Sequence, residues 1–288
     1  MEEEIIKLYQ SGMSMRKIEK LCNRSRDTVS KILKKNNIHI RYQNETSKIY
    51  KCDESFFENI DSEIKAYWLG FLMADGFIES KRQNGAQKFG VTLNIKDKEH
   101  IVKFNNHLKS TYKIKIYKGS GYNPDGLFAK LLITSQKMVD DLKRHGIVEN
   151  KTKIAKFPTT IPQQYIKDFI RGYFDGDGSI YFDNQTKKYR ISILGTKDFL
   201  EGIVKAFDIQ NNIYVEKDDI YVLRCNTLKD INTVLYKMYN NSTIFLDRKY
   251  NRYLDSLKEM PAYSNNSLST ISRVNLINKN AIIPTGIN

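Results

Sequence analysis

Two short segments about one hundred residues apart carry the residues best suited to chemistry. They are Trp68-Leu-Gly-Phe-Leu-Met-Ala-Asp-Gly76 and Ile170-Arg-Gly-Tyr-Phe-Asp-Gly-Asp-Gly178. Each ends an apolar helical run with an aspartate directly before a glycine. Gly70 with Ala74, and Gly172 with Gly176, are four apart and fall on one helix face. Glycine inside a helix costs roughly 1 kcal/mol relative to alanine. Two helices that accept this cost are expected to gain a close backbone approach. Side-by-side packing would then bring both C-terminal ends together and make Asp75 and Asp177 neighbours near a pseudo-twofold axis. Two carboxylates about 4 Å apart repel by roughly 4 kcal/mol at an effective dielectric near 20. Each also sits at the unfavourable end of its helix dipole. A divalent cation removes both problems. Mg2+, with Mn2+ as an alternative, takes oxygen ligands, retains water and accepts phosphate oxygens. One metal can lower the pKa of an attacking water while another stabilises a leaving 3′ oxygen.

The elements that must position these acids form a repeat. The chain has 288 residues, enough for two domains and a small third. Its 47 Lys and Arg against 33 Asp and Glu give a net charge of +14, which favours a polyanionic partner. After each acidic segment come an apolar exit, a polar loop, and an alternating strand, Phe89 to Ile95 or Tyr189 to Leu194. A helix follows, around 97–108 or 197–207. Shorter strand pairs come next, 112–118 with 127–133 and 212–216 with 220–225. A last helix runs near 135–145 or 227–239. Each half therefore reads αββαββα, and the fold class is α+β. The halves are placed at 61–157 and 158–260, with the region 149–163, bearing Pro158 and Pro162, connecting them. Residues 42–60 read as a linker, and 261–288 as an appended flap or loose tail.

Residues 1–41 carry three short helical patterns. Ile5, Ile6, Leu8 and Tyr9 open the first, and Gly12 ends it. Ser14 caps a second bearing Ile18 and Leu21. Ser25 caps a third with Val29, Ile32 and Leu33 inward. The third helix offers Arg24, Arg26, Thr28, Ser30 and Lys31. The region resembles a small all-α helix-turn-helix domain that contacts DNA.

In the strands, Val91, Leu93 and Ile95 face one way and Thr92, Asn94 and Lys96 the other; Ile191 and Ile193 oppose Arg190 and Ser192. A sheet with one polar face can lie on DNA, and so can serve as a plain solvated surface. Lys81, Arg82, Gln83, Asn84, Gln87 and Lys188 suit contacts to a long duplex, as does the glycine-containing loop 117–126. Cys22, Cys52 and Cys225 are scattered, which suggests a reducing compartment and no structural zinc. No apolar run reaches a membrane span, and no secretory signal precedes Glu2, Glu3 and Glu4. An intracellular, non-secreted protein without membrane contact is expected. His39, His100, His107 and His145 show no finger spacing and are expected at the surface or in linkers.

Both acidic segments resemble the signature of the LAGLIDADG homing endonucleases, in the single-chain form with two motifs. The resemblance covers residues 60–258. It implies two pseudo-twofold-related repeats forming a saddle over double-stranded DNA, and a monomer that cuts both strands of a long target. In that family the eighth motif position binds metal, which falls on Asp75 and Asp177. The third and seventh positions pack the helix pair, here Gly70 with Ala74 and Gly172 with Gly176. The sixth is often acidic; Asp175 keeps the acid and Met73 departs. The first position is apolar, here Trp68 and Ile170. The resemblance also implies basic or polar residues around the metals. Candidates are Lys153, Lys249 or its neighbour Arg248, and Lys88, whose counterpart is Lys188; Gln87 could instead orient water. Hydrolysis would leave a 5′ phosphate and a 3′ hydroxyl. Alternative readings are a DNA-binding regulator that does not cleave, a splicing cofactor (maturase) bound to intron RNA, and an excised intein. Against the intein, the chain starts with Met1, ends Ile287-Asn288 without a preceding histidine, and lacks obvious self-splicing blocks. A freestanding product is expected.

Overall fold

The computed structural model describes residues 2–11, 13–38, 40, 50–80, 86–119, 124–210 and 212–258. Lys81, Arg82, Gln83, Asn84, His39, residues 42–49 of the 42–60 stretch, the middle of the 117–126 loop and the tail 261–288 lie outside the described residues. The chain divides into two compact units, Met1–Lys51 and Cys52–Asn288. The division falls inside the stretch read as a linker.

The first unit holds α1 (Glu2–Gln10), α2 (Met15–Cys22) and α3 (Arg26–Lys35). Ser14 accepts from the Lys17 N–H and Ser25 from the Thr28 N–H, each filling a donor that the first helical turn leaves open. Asn23, at φ 46 and ψ 47, makes the left-handed turn between α2 and α3. Ile5, Tyr9, Ile18, Val29 and Leu33 form the core. Leu21, expected beside Ile18, is instead 66% exposed. Met15, Ile18 and Cys22 set the inward face of α2, and Leu21 falls at the flank of that face, open to solvent.

The second unit contains the two repeats. The first runs α4 (Glu63–Ala74), β1 (Gly76–Ile78), β2 (Lys88–Asn94), α5 (Lys98–His107), β3 (Lys115–Lys118), β4 (Leu127–Thr134) and α6 (Gln136–Arg144). The second runs α7 (Ile166–Asp177), β5 (Gly178–Asp183), β6 (Lys188–Gly195), α8 (Lys197–Phe207), β7 (Ile213–Lys217), β8 (Ile220–Cys225) and α9 (Leu228–Tyr239). A further helix, α10 (Asp247–Lys258), follows. The sheets are antiparallel and ordered β1-β2-β4-β3 and β5-β6-β8-β7, the same topology twice. Ser62, Ser135, Thr196 and Thr227 cap α4, α6, α8 and α9 through side-chain oxygens.

Each sheet turns one face to the core. Phe89, Val91 and Leu93 of β2, and Tyr189, Ile191 and Ile193 of β6, are buried. Thr92, Arg190 and Ser192 are half-buried, and Asn94 and Lys188 are exposed. Ile95 does not extend β2. Asn94 accepts from the Lys96 N–H at 3.1 Å, and this local bond starts a 3-10 turn over Ile95–Asp97. One core spans both repeats, with α4 and α7 at its centre. Residues Ala66 to Met73 of α4 are all buried, as expected of a helix covered on every side. No helix among the described residues is long and apolar enough to cross a membrane.

Two histidines correct the surface expectation. His100 is 3% exposed and His145 4% exposed. His145 bonds the Thr160 hydroxyl and the Phe57 carbonyl. His107, half-buried, accepts from the Trp68 indole N–H. Helical periodicity alone hides such residues, because histidine reads as polar while its ring packs among aromatics.

Candidate active site

The helix pair is held by a reciprocal glycine contact. A Cβ added at Gly70 would stand 1.9 Å from the Phe169 carbonyl oxygen, and one at Gly172 1.9 Å from the Tyr67 carbonyl oxygen. Any side chain there would force the two backbones apart. Further along, a Cβ at Gly176 would stand 2.3 Å from the Ala74 Cβ and 3.2 Å from Asp75 Oδ2. The Asp75 carboxylate of α4 therefore lies against the last turn of α7.

Asp75 is the C-cap of α4, its N–H bonded to the Phe71 carbonyl at 2.9 Å. Asp177 is the last residue of α7. Both are half-buried. Burial raises the Asp75 carboxyl above its usual range, against the pull of Lys249, Lys151 and Arg248. Burial and then the Asp75 charge push Asp177 up to about 6, with Lys151 and Lys249 pulling the other way. Burial is thus what chiefly disfavours the charged form of each acid.

Two buried lysines flank the acids. Lys151 Nζ donates to the carbonyls of Ala74, at 3.1 Å, and of Gly76. Lys249 Nζ donates to those of Phe174 at 2.6 Å, Gly176 at 3.2 Å and Gly178 at 2.5 Å. These carbonyls border Asp75 and Asp177 where each helix passes into its strand; that of Phe174 also accepts from the Gly178 N–H. Three acceptors require three N–H donors, so Lys249 is held as an ammonium. Burial lowers it to about 8, opposed chiefly by Asp175. The arrangement is two fixed cations, one per helix end, beside two crowded carboxylates.

Behind them lies a buried polar frame. Asp175 is fully buried and accepts from the Tyr67 hydroxyl at 2.7 Å, the Tyr239 hydroxyl at 2.6 Å and the Leu246 N–H at 2.7 Å. His100 Nε2 lies 2.9 Å from the Tyr67 oxygen. With the Tyr67 proton committed to Asp175, this nitrogen is the donor, and burial holds His100 neutral, its pKa down at about 3. Arg171, also buried, bonds Asp168, Glu63 and the carbonyls of Met238 and Ile244.

The other residues singled out from sequence fall elsewhere. Lys153 points to Asp218 and Asp219, at 3.9 and 3.8 Å, and the lysine that reaches the helix end is Lys151. Lys88 lies 4.0 Å from Glu79, in an ion pair that Lys130 shares. Gln87 is buried; its amide donates to Glu79 and Glu149 and accepts from Lys143. Arg248 is paired with Asp97. Arg190 and Ser192 line an open cavity of about 700 Å³ with Glu216, Arg224 and Asn226, on the face of the second sheet. In the first unit Arg24, Arg26 and Lys31 are exposed, while Thr28 and Ser30 are half-buried and the Thr28 hydroxyl bonds Ser25. Sequence reasoning misses Lys151, Asp97 and α10. The loops that lead to Lys151 and Lys249 differ in length, so no fixed offset pairs the two lysines.

Residues 164–238, most of the second repeat, match the LAGLIDADG-like domain family. A stretch of 143 residues is 25% identical to DNA-directed RNA polymerase subunit Rpo1C of Methanocaldococcus jannaschii, covering 50% of this chain and 14% of that protein. A stretch of 156 residues is 26% identical to the probable translation initiation factor IF-2 of the same organism, covering 51% of this chain and 12% of that protein. The chain thus spans only a small part of the curated relatives it matches. Those two names describe unrelated activities, so neither transfers. Among solved structures, the homing endonuclease I-WcaI bound to its DNA recognition sequence superposes with a TM-score of 0.50 at 15% identity, over 75% of this chain and 96% of that one. The chain has the LAGLIDADG fold.

Proposed function

We propose that this chain is a site-specific double-strand DNA endonuclease that depends on a divalent metal. The observation that carries the reading is the meeting of Asp75 and Asp177 at two glycine-packed helix ends. Pure binding gains nothing from paired carboxylates held toward phosphates. The I-WcaI structure, with DNA on the same fold, agrees with the assignment.

The residues fit a magnesium-like ion. Asp75 and Asp177 supply hard oxygen ligands, and burial, with the Asp75 charge added at Asp177, raises both carboxyls despite Lys151 and Lys249, so a bound cation would be favoured there. No group of three or more His, Cys, Asp or Glu with metal-ligand geometry occurs among the described residues. Water and phosphate are therefore expected to complete the shell, as Mg2+ prefers. When bound, such an ion acidifies water and stabilises a leaving oxygen. The protein's own groups do the rest. Asp75 and Asp177 each serve one strand or share an ion between them. Lys151 and Lys249 fix the helix ends and keep both acids ionised. Polar residues of the sheets, Thr92, Asn94, Lys188, Arg190 and Ser192, meet the duplex, which the basic surface draws in a salt-sensitive way. The first unit, through Arg24 in the turn before α3 and Arg26 and Lys31 on α3, extends the footprint over flanking DNA. Cleavage would leave a 5′ phosphate and a 3′ hydroxyl.

A mapped cleavage assay on a randomised duplex library, with Mg2+ and with EDTA, tests the reading. Cutting is expected only with the metal. Full cleavage by protein carrying Asp75→Asn and Asp177→Asn would overturn the assigned roles. Tight duplex binding without any cutting in metal would favour a regulator on the same scaffold.

A further inference from the structure

Residues 243–249 form a strap between the repeats. The Thr243 N–H and hydroxyl both bond Glu63 of α4, at 2.8 and 2.9 Å. The Ile244 carbonyl accepts from Arg171 of α7, and the Leu246 N–H donates to Asp175. Asp247 accepts from Lys103 of α5 at 2.6 Å. Arg248 Nε lies 3.2 and 3.0 Å from the two oxygens of Asp97, in the turn between β2 and α5. Lys249 then reaches the carbonyls around Asp177. Three successive residues thus touch the first repeat, the first repeat and the second.

The segment leading to Lys151 is tied differently. Glu149 bonds Gln87 and Lys143, and Lys151 bonds Ala74 and Gly76, all within the first repeat. His145 bonds Phe57, ahead of that repeat, and Thr160, in the connector. One lysine is fixed from its own side, and the other directly follows two charged residues, Asp247 and Arg248, whose partners Lys103 and Asp97 belong to the opposite side.

We propose that Asp97 and Arg248 are a positioning pair, which couples Lys249, and through it the Asp177 side of the centre, to the docking of the first repeat. The proposal rests on the endonuclease reading for its consequence: the two DNA strands are cut by groups with unequal dependence on that docking. Asp97 and Arg248 need not touch DNA for this to hold.

The test compares wild type with Asp97→Asn plus Arg248→Gln, which leaves net charge unchanged and strands no lone ion beside Asp75. Duplex labelled on each strand in turn is cut in single turnover. One strand is expected to slow about ten-fold, with the other unaffected and nicked plasmid accumulating. Arg248→Lys, which keeps the charge, should restore much of the rate. Equal slowing of both strands, or none, overturns the coupling. A second measurement needs no cleavage. Acetylation of the intact folded protein by an N-hydroxysuccinimide ester, followed by digestion and mass spectrometry of the peptides, reads Lys151 and Lys249 separately. Lys249 should acetylate about ten-fold faster in the double variant, with Lys151 unchanged; equal protection in both proteins overturns the proposal. Wild type that cuts nothing would sink the endonuclease reading alone, because the acetylation rates still decide the positioning.

Discussion

Asp177→Asn should make the metal-free protein more stable while ending cleavage of its strand. In the folded chain the Asp177 carboxyl titrates at about 6, against 3.8 for the free group. Ionising it in the fold therefore costs roughly 3 kcal/mol more than in the unfolded chain. That is an upper bound, since a half-buried carboxylate keeps some hydration, and a gain of about 1–2 kcal/mol is the working expectation. Asparagine has the same shape and carries no charge. The pH dependence has a definite sign. Because the folded pKa is raised, the penalty is complete above about 6 and is relieved as pH falls toward 3.8, where wild type takes up its proton in the fold first. Between pH 7.5 and pH 5 the advantage of the variant should shrink by roughly 1 kcal/mol. Mg2+ should narrow it as well, because an ion at ten times its Kd stabilises wild type by about 1.4 kcal/mol. Urea midpoints of both proteins, at the two pH values and in EDTA or Mg2+, measure all of this. A variant no more stable than wild type at pH 7.5 in EDTA refutes the claim that burial and the Asp75 charge together penalise the Asp177 carboxylate.

Other substitutions probe other links. Gly70→Ala or Gly172→Ala puts a methyl on a facing carbonyl oxygen; a loss of about 3 kcal/mol in a denaturant titration is expected, with cleavage falling as the acids separate. Lys249→Met takes the ammonium from three carbonyls, of which that of Phe174 keeps the Gly178 N–H, and cleavage should drop about 100-fold in a plasmid nicking assay, whereas Lys153→Met should stay within about two-fold of wild type. Tyr67→Phe removes a donor to buried Asp175 and an acceptor for His100, and should cost about 1–3 kcal/mol by thermal or chemical unfolding. Removing residues 1–51 should weaken duplex binding and flatten its salt dependence, by about 0.9 in log–log slope for each phosphate that the shortened protein leaves to its counterions.

Much of the architecture is legible in the sequence because it obeys short-range rules. The alternation of Phe89, Val91 and Leu93, the caps at Ser14 and Ser25, and the spacing of Gly70 and Gly172 each follow from local geometry. Alternation alone also carries Ile95 into β2, but the Asn94 side chain competes for the backbone and ends the strand. Elsewhere long-range pairing decides. Lys151 and Lys153 are indistinguishable as sequence, and only the fold shows which ammonium finds the carbonyls of Ala74 and Gly76. The helix from Asp247 to Lys258 escapes notice because so much of it is polar; its Tyr250 and Tyr253 pack on Tyr239, and its buried Lys249 finds its carbonyl partners more than seventy residues earlier in the chain. Asp175 stands out in the sequence only as a family feature. Its three donors come from Tyr67, Tyr239 and Leu246, which no local pattern links.

Asp175 also limits how the chain can be taken apart. At the glycine crossing the repeats are equivalent, so two copies of either could make that contact. One turn later they are not. Met73 stands where Asp175 does in the second repeat, and Phe169 where Tyr67 does in the first. Paired copies of the second repeat would set each Asp175 against a phenylalanine that has no hydroxyl to give. Paired copies of the first would leave each Tyr67 hydroxyl facing a thioether. Severed between the repeats, the two fragments should find each other in preference to themselves.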